Sequence, residues 1–243
     1  MDYFTRFNNQ THNFLDAVQS YENALDEEMM TAIKMLDLKQ NEILLNAFAG
    51  GIPIDKYIDK SLNIRYLEYD TNKEFSNTNT DIIYYTIDNI PIESQSIDKI
   101  LCLATLHHFN NQERQKLYKE FYRVLKPYGM LVIADVIENS SQAKWLNVFV
   151  NQYNSNGHKG NFFLPTDSQL IKNTGFNVTI SIQHYNWKFS DDYSLIHFYK
   201  LLFGLDLCKD DNFILDNIKH YLEYQKLTNI IIPWKLLYFN CTI

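Results

Sequence analysis

The chain has 243 residues, a net charge of −7, 46% hydrophobic and 21% charged residues, the balance of a globular chain forming one large domain or a domain with an elaborated end. No Lys/Arg run marks a nucleic-acid face, and the acidic balance suits a neutral or cationic small substrate better than a polyanion. No apolar run approaches the ~20 residues needed to span a bilayer, and the first residues, Met1-Asp2-Tyr3-Phe4-Thr5-Arg6, lack an apolar signal core. Cys102, Cys208 and Cys241 are far apart and show no ligand spacing, so they read as reduced, structural thiols of a cytoplasmic protein.

In chain order, residues 1–40 read as a helical cap. Phe14, Ala17, Val18, Tyr21 and Leu25 follow helical spacing, as do Met29, Met30, Ile33 and Leu36. A central sheet is expected over 41–186. Its first strand is Ile43-Leu44-Leu45-Asn46-Ala47, running into Ala49-Gly50-Gly51, with a short helix from Pro53. Further strands are predicted at 63–68, 82–86, 98–103 and 130–134. The intervening helix at 111–126 carries Leu117, Phe121, Val124 and Leu125 on one face. A helix at 141–153, a polar loop, a short helix closed by Gly175 and a sixth strand at 176–184 follow. Residues 187–230 read as a helical insertion, and 231–243 holds the last strand. Alternating strands and helices predict an α/β, Rossmann-like, doubly wound sheet of seven mostly parallel strands with helices on both faces.

Open α/β sheets bind ligands at the carboxyl ends of their strands, so the strand exits hold the candidate residues. Ala49-Gly50-Gly51 offers backbone that a ligand can approach closely. Glu68, with Tyr69 beside it and Asp70 as the fallback acid, stands where a carboxylate can accept ribose hydroxyls. His107 and His108 leave the fourth strand and are candidate general bases. Asp135 ends the fifth strand, and Asn147, Asn151 and Asn154 follow at helical spacing, with His158 beyond; these are candidate substrate contacts. Trp187, Phe189, Phe198, Phe203 and Trp234 are read as core before cage. No Ser or Cys nucleophile motif and no G-x-G-x-x-G or P-loop is present.

The stretch from Ser96 to Val136 resembles class I S-adenosylmethionine-dependent methyltransferases, in particular the type 11 small-molecule group. The resemblance rests on Ile97-Asp98-Lys99-Ile100, Leu106-His107-His108 and Arg123-Val124-Leu125-Lys126-Pro127-Tyr128-Gly129. It implies S-adenosylmethionine as cofactor and methyl transfer to a small-molecule acceptor. It also implies Asn46, Ala49, Gly50 and Gly51 at the methionine end, Glu68 at the ribose, and Thr86 and Ile87 at the adenine. Leu103 and Ala104 would touch the cofactor by backbone. Asn46 replaces the family's acid in the first turn, and Phe48 and Ile52 replace its outer glycines. The alternative is a methyltransferase-like protein that binds a ligand or partner without catalysis. A metal is not expected.

Overall fold

Side chains alternate across a strand, and here both faces of the central strands are buried. Leu44, Leu101, Val132 and Ala134 join one hydrophobic core; Leu45, Ala47, Ile100, Cys102, Leu131 and Ile133 join another on the opposite face. Such two-sided burial requires helices on both sides of the sheet. A computed structural model describes residues 10–50, 52, 54–78 and 81–243 of the chain.

Two helices, α1 (Thr11–Ser20) and α2 (Asp26–Met35), precede β1 (Ile43–Ala47). Then come β2 (Arg65–Asp70), α3 (Lys73–Thr78), β3 (Ile82–Tyr84), β4 (Ile97–Leu103), α4 (Asn111–Val124) and β5 (Leu125–Asp135). After these are α5 (Ser141–Lys144), α6 (Asn151–Tyr153), α7 (Ser168–Lys172), β6 (Asn177–Phe189), α8 (Asp192–Leu202), α9 (Asp211–Tyr221), β7 (Gln225–Lys226) and β8 (Ile230–Thr242). The sheet runs β3-β2-β1-β4-β5-β8-β6, with the two-residue β7 on β8 making eight strands. β1 to β5 pair in parallel, and β8 lies antiparallel between β5 and β6. The expected doubly wound sheet is therefore present.

Chain direction across the sheet reverses between β1 and β4, the switch point at which open α/β sheets form their crevice. α4 starts with a capping box: the Asn110 side chain accepts from the Glu113 amide, and Glu113 accepts from the Asn110 amide. Its Leu117 and Phe121 close one face, with Ile171 of α7. α1, α2, α8 and α9 close the other through Val18, Met29, Phe198 and Ile218.

Several boundaries differ from the sequence expectation. β2 extends two residues past Glu68, because its pairing with β3 continues to Asp70↔Tyr84. The helix expected at Pro53 is two 3-10 turns, Ile54–Tyr57 and Lys60–Leu62, and Pro53 itself lies outside the described residues. α3 was not anticipated. Between α5 and α6 the helix widens to a π-helical segment, Trp145–Val150.

β6 runs to Phe189 rather than 184, in unbroken register with β8 from Asn177↔Thr242 to Phe189↔Ile230. Its far end rises beyond the last residue of β5, so the insertion begins later than 187. Among the described residues no helix is long and apolar enough to cross a membrane. All three cysteines are buried and free.

Candidate functional site

The two strand exits at the switch point are conformationally unusual. After β1, Phe48 and Gly50 are left-handed, with φ of 63° and 54°; after β4, Ala104 is left-handed with φ of 50°. Left-handed non-glycine residues cost on the order of 1–3 kcal/mol and concentrate at functional sites. Asp70 braces the first exit. Fully buried, it accepts from the Gly50 amide at 3.0 Å and the Asn72 amide at 2.8 Å. Phe48 turns its ring into the core, 5.3 Å from the Phe109 ring and 5.7 Å from Tyr85, which leaves the Ala49–Gly50 backbone on the crevice side.

Between these exits lies a cavity of about 190 Å³. Asn46, Ala49, Gly50, Leu103, Ala104, His107, His108 and His158 all line it, so the sequence candidates from three separate segments converge. Phe14 of α1 roofs it: its ring stands 3.5 Å from where a Gly50 Cβ would be, and edge-on to Phe75 at 5.9 Å. Thr11 ties the same helix to α3 by donating to Glu74 at 2.9 Å.

His107 is held by Asp135. The carboxylate accepts from the His107 amide at 3.0 Å, from the Val136 amide at 2.7 Å, and stands 2.7 Å from His107 Nδ1. A carboxylate that only accepts fixes the proton on Nδ1 and directs Nε2 elsewhere. Asp135 is fully buried and outside the cavity lining; it positions His107 rather than facing a substrate.

The asparagine row serves as a loop latch. Asn147 donates to the Gly160 carbonyl at 3.1 Å and accepts from its amide at 2.7 Å. Asn151 accepts from the His158 amide at 3.0 Å. Asn154 donates to Gln10 and to the Phe203 carbonyl. Together they fold residues 154–161 so that His158 reaches the cavity. Asn154 lines it, whereas Asn147 and Asn151 do not. Arg114 holds the same region from below, donating to the Leu106 and Asn161 carbonyls.

Other candidates stand apart. Glu68 lies within β2, half-buried, and accepts from the Tyr66 hydroxyl at 2.7 Å, which in turn accepts from Asn46 at 3.0 Å. Burial pushes its carboxyl upward, against the pull of that hydrogen bond. Tyr69 packs in the core beneath. Thr86 is exposed and bridges to Asn89, and Ile87 is partly buried against the lower core. None of the four lines the cavity. Gly51 lies outside the described residues. At the end of β2, Thr71 Oγ1 and Asn72 Nδ2 are buried with no hydrogen-bond partner among the described residues.

Glu28 was not foreseen. It is 3% exposed and lines the cavity, accepting from the Trp187 indole at 2.7 Å. Burial pushes its carboxyl up to about 7, opposed by the indole hydrogen bond and reinforced by Asp135. Its neighbour Glu27 docks α2 on β6, accepting from the Asn186 amide and pairing with Lys188 at 2.5 Å. Trp187, Phe203 and Trp234 line the cavity too, whereas Phe189 and Phe198 are core. The sequence signal for this wall was the alternation Tyr185, Trp187, Phe189, which continues the strand period.

Comparison with known proteins agrees with this architecture. Residues 56–133 match the family described as methyltransferase domain, a stretch from the segment after the first turn to β5. An uncharacterised methyltransferase of Oceanobacillus iheyensis is 34% identical over 56 residues, 23% of this chain and 26% of that protein. The chain thus spans about a quarter of that relative's length. The structure of phosphoethanolamine N-methyltransferase 2 of Haemonchus contortus, in complex with S-adenosyl-L-methionine, superposes with a TM-score of 0.63 at 14% identity. It covers 100% of this chain and 60% of that one. The YcgJ protein of Bacillus subtilis gives a TM-score of 0.60 at 16% identity, over 89% of this chain and 98% of that one.

Proposed function

We propose that this chain, which carries a methyltransferase domain on the class I methyltransferase fold, binds S-adenosylmethionine at the β1–β4 crevice and methylates a small-molecule acceptor. The observation that carries the reading is the convergence of Asn46, Ala49, Gly50, Leu103 and Ala104 on the cavity that also holds His107, His108 and His158. The residues present suit the cofactor. Small side chains and a left-handed glycine line the crevice, and orphaned polar atoms of Thr71 and Asn72 sit beside Asp70 at the end of β2.

In this reading the Asn46–Gly50 turn takes the methionine end. The acids near the end of β2, Glu68 and Asp70, are the candidates for the ribose hydroxyls; neither lines the cavity, and each already accepts hydrogen bonds, Glu68 from the Tyr66 hydroxyl and Asp70 from the Gly50 and Asn72 amides. When bound, S-adenosylmethionine supplies a methyl group already activated on a sulfonium. The protein's part is to hold the acceptor in line, exclude water, and hold a proton where the acceptor must lose one. His107, oriented by Asp135, offers Nε2 for that proton. Phe14, Leu25 and Met29 keep water from the cavity.

A second reading, a methyltransferase-like binding protein without catalysis, is favoured by two features: Phe14 packs over Gly50, and Thr86, Ile87 and Glu68 lie outside the cavity. Incubation with methyl-labelled S-adenosylmethionine and a pooled set of amines, phenols and carboxylic acids separates the two. Label in any acceptor, lost in His107→Asn, supports the enzyme. Binding of S-adenosylhomocysteine with no label in any acceptor supports the second reading.

A further inference from the structure

A carboxylate taken from water is costly unless it is paired with a cation or well hydrogen-bonded. Glu28 has a single hydrogen bond, from the Trp187 indole to Oε2. Among the described residues it makes no ion pair, and no Lys or Arg lines the cavity it faces. The hydroxyls of Tyr185 and Tyr238, close enough to feel its charge, have no hydrogen-bond partner among the described residues. This is an acidic group built into an apolar wall with no ion-pair partner among the described residues; the imidazoles of His107, His108 and His158 line the same cavity.

The surrounding wall is aromatic. Trp187 and Trp234 stack at 4.1 Å with an interplanar angle of 15°. Phe203 lies nearly parallel to both, at 6.4 Å and 6.5 Å. All three line the cavity with Glu28. Ring faces attract organic cations, and more strongly where water is excluded. Glu28 stands on α2, tied by the Trp187 indole to β6, at the opposite side of the sheet order from β3 and β2, and close enough to Asp135 at the end of β5 to feel its charge. It shares the cavity with the Asn46–Gly50 turn.

We propose that Glu28, with Trp187, Phe203 and Trp234, forms an organic-ammonium site, so that the acceptor is an amine held as its cation. The assignment of the ligand as methyl acceptor rests on the reading given under Proposed function; the ammonium site itself does not. The competing source of positive charge is the cofactor's own sulfonium.

The test is calorimetric titration of the full chain with two cation–neutral pairs, choline against 3,3-dimethylbutan-1-ol and n-butylammonium against n-butanol. Each is run with and without saturating S-adenosylhomocysteine. The expected result is a preference for the cation of about tenfold or more in at least one pair, abolished in Glu28→Gln. Glutamine still offers the Trp187 indole an acceptor, and an unchanged circular dichroism spectrum verifies folding. Equal binding within both pairs, a preference that survives Glu28→Gln, or no binding of either cation up to about 10 mM overturns the site. Loss in Glu28→Gln of a preference for S-adenosylmethionine over S-adenosylhomocysteine, with the amine preference intact, assigns Glu28 to the cofactor and also overturns it. Failure of S-adenosylhomocysteine to bind overturns the methyltransferase reading alone, because the titrations without it still report on the ammonium site.

Discussion

Phe48 stands where the resembled family places glycine, Tyr128 stands in the Lys126-Pro127-Tyr128-Gly129 turn, and both adopt left-handed backbone, with φ of 63° and 66°. Their substitution by glycine has opposite expected outcomes. Tyr128 is 92% exposed, so Tyr128→Gly releases about 1–2 kcal/mol of backbone cost and loses about 0.5–1 kcal/mol to chain entropy. Stability should hold or rise by up to about 1.5 kcal/mol. Phe48 is 6% exposed, and losing a buried ring costs about 3–5 kcal/mol, more than the backbone returns. Phe48→Gly should therefore destabilise by roughly 2–4 kcal/mol in urea unfolding. Equal effects at the two sites would contradict the placement of the Phe48 ring.

Glu28 yields a pH prediction at the same scale. Asp135, Tyr185 and Tyr238 act on it electrostatically, and His107, His108 and His158 share its cavity. Its folded pKa of about 7 lies above the ordinary 4.5, so the folded state binds the proton more tightly. Stability therefore falls as pH rises from about 4.5 to about 7, by on the order of 3 kcal/mol, and stays lowered above. Glu28→Gln removes that loss. Its melting temperature relative to the parent should be clearly higher near pH 8 than near pH 5, and a gain independent of pH would refute the buried, unpaired carboxyl.

At the scale of elements, the loop over residues 154–161 has no regular structure of its own and depends on Asn147, Asn151 and Arg114 for its shape. Asn147→Ala removes both hydrogen bonds to Gly160, for a loss of about 1–3 kcal/mol locally. Hydrogen exchange at 157–161 should accelerate while α4 and the central strands stay protected; a uniform change along the chain would show that the loop is not an independent unit. This latch was only half legible in sequence. The helical spacing of the asparagines placed them on one face, but their partners are backbone groups of a loop whose path no local pattern encodes. β6 is the converse case. The alternation through Trp187 and Phe189 was present in the sequence, and reading those aromatics as an insertion hid the wall that carries Glu28's partner.

Across the whole molecule, periodicity and strand exits were sufficient for the doubly wound sheet and the meeting of β1 and β4, because period-two burial and the crossover rule are local signals. Asn46, Gly50 and Ala104, implied by the family resemblance, and His107, read from the exit of the fourth strand, all line that crevice. What could not be read was contact between distant segments: Phe14 over Gly50, Glu28 on Trp187, Asp135 on His107. Strand length also mattered, since two further residues of β2 move the end of the strand from Glu68 to Asp70. The proposed chemistry requires the β1–β4 crevice to be a cofactor site. Isothermal titration of the intact chain with S-adenosylhomocysteine tests it most directly. Saturable binding in the micromolar range is the predicted result; no heat up to about a millimolar would contradict it.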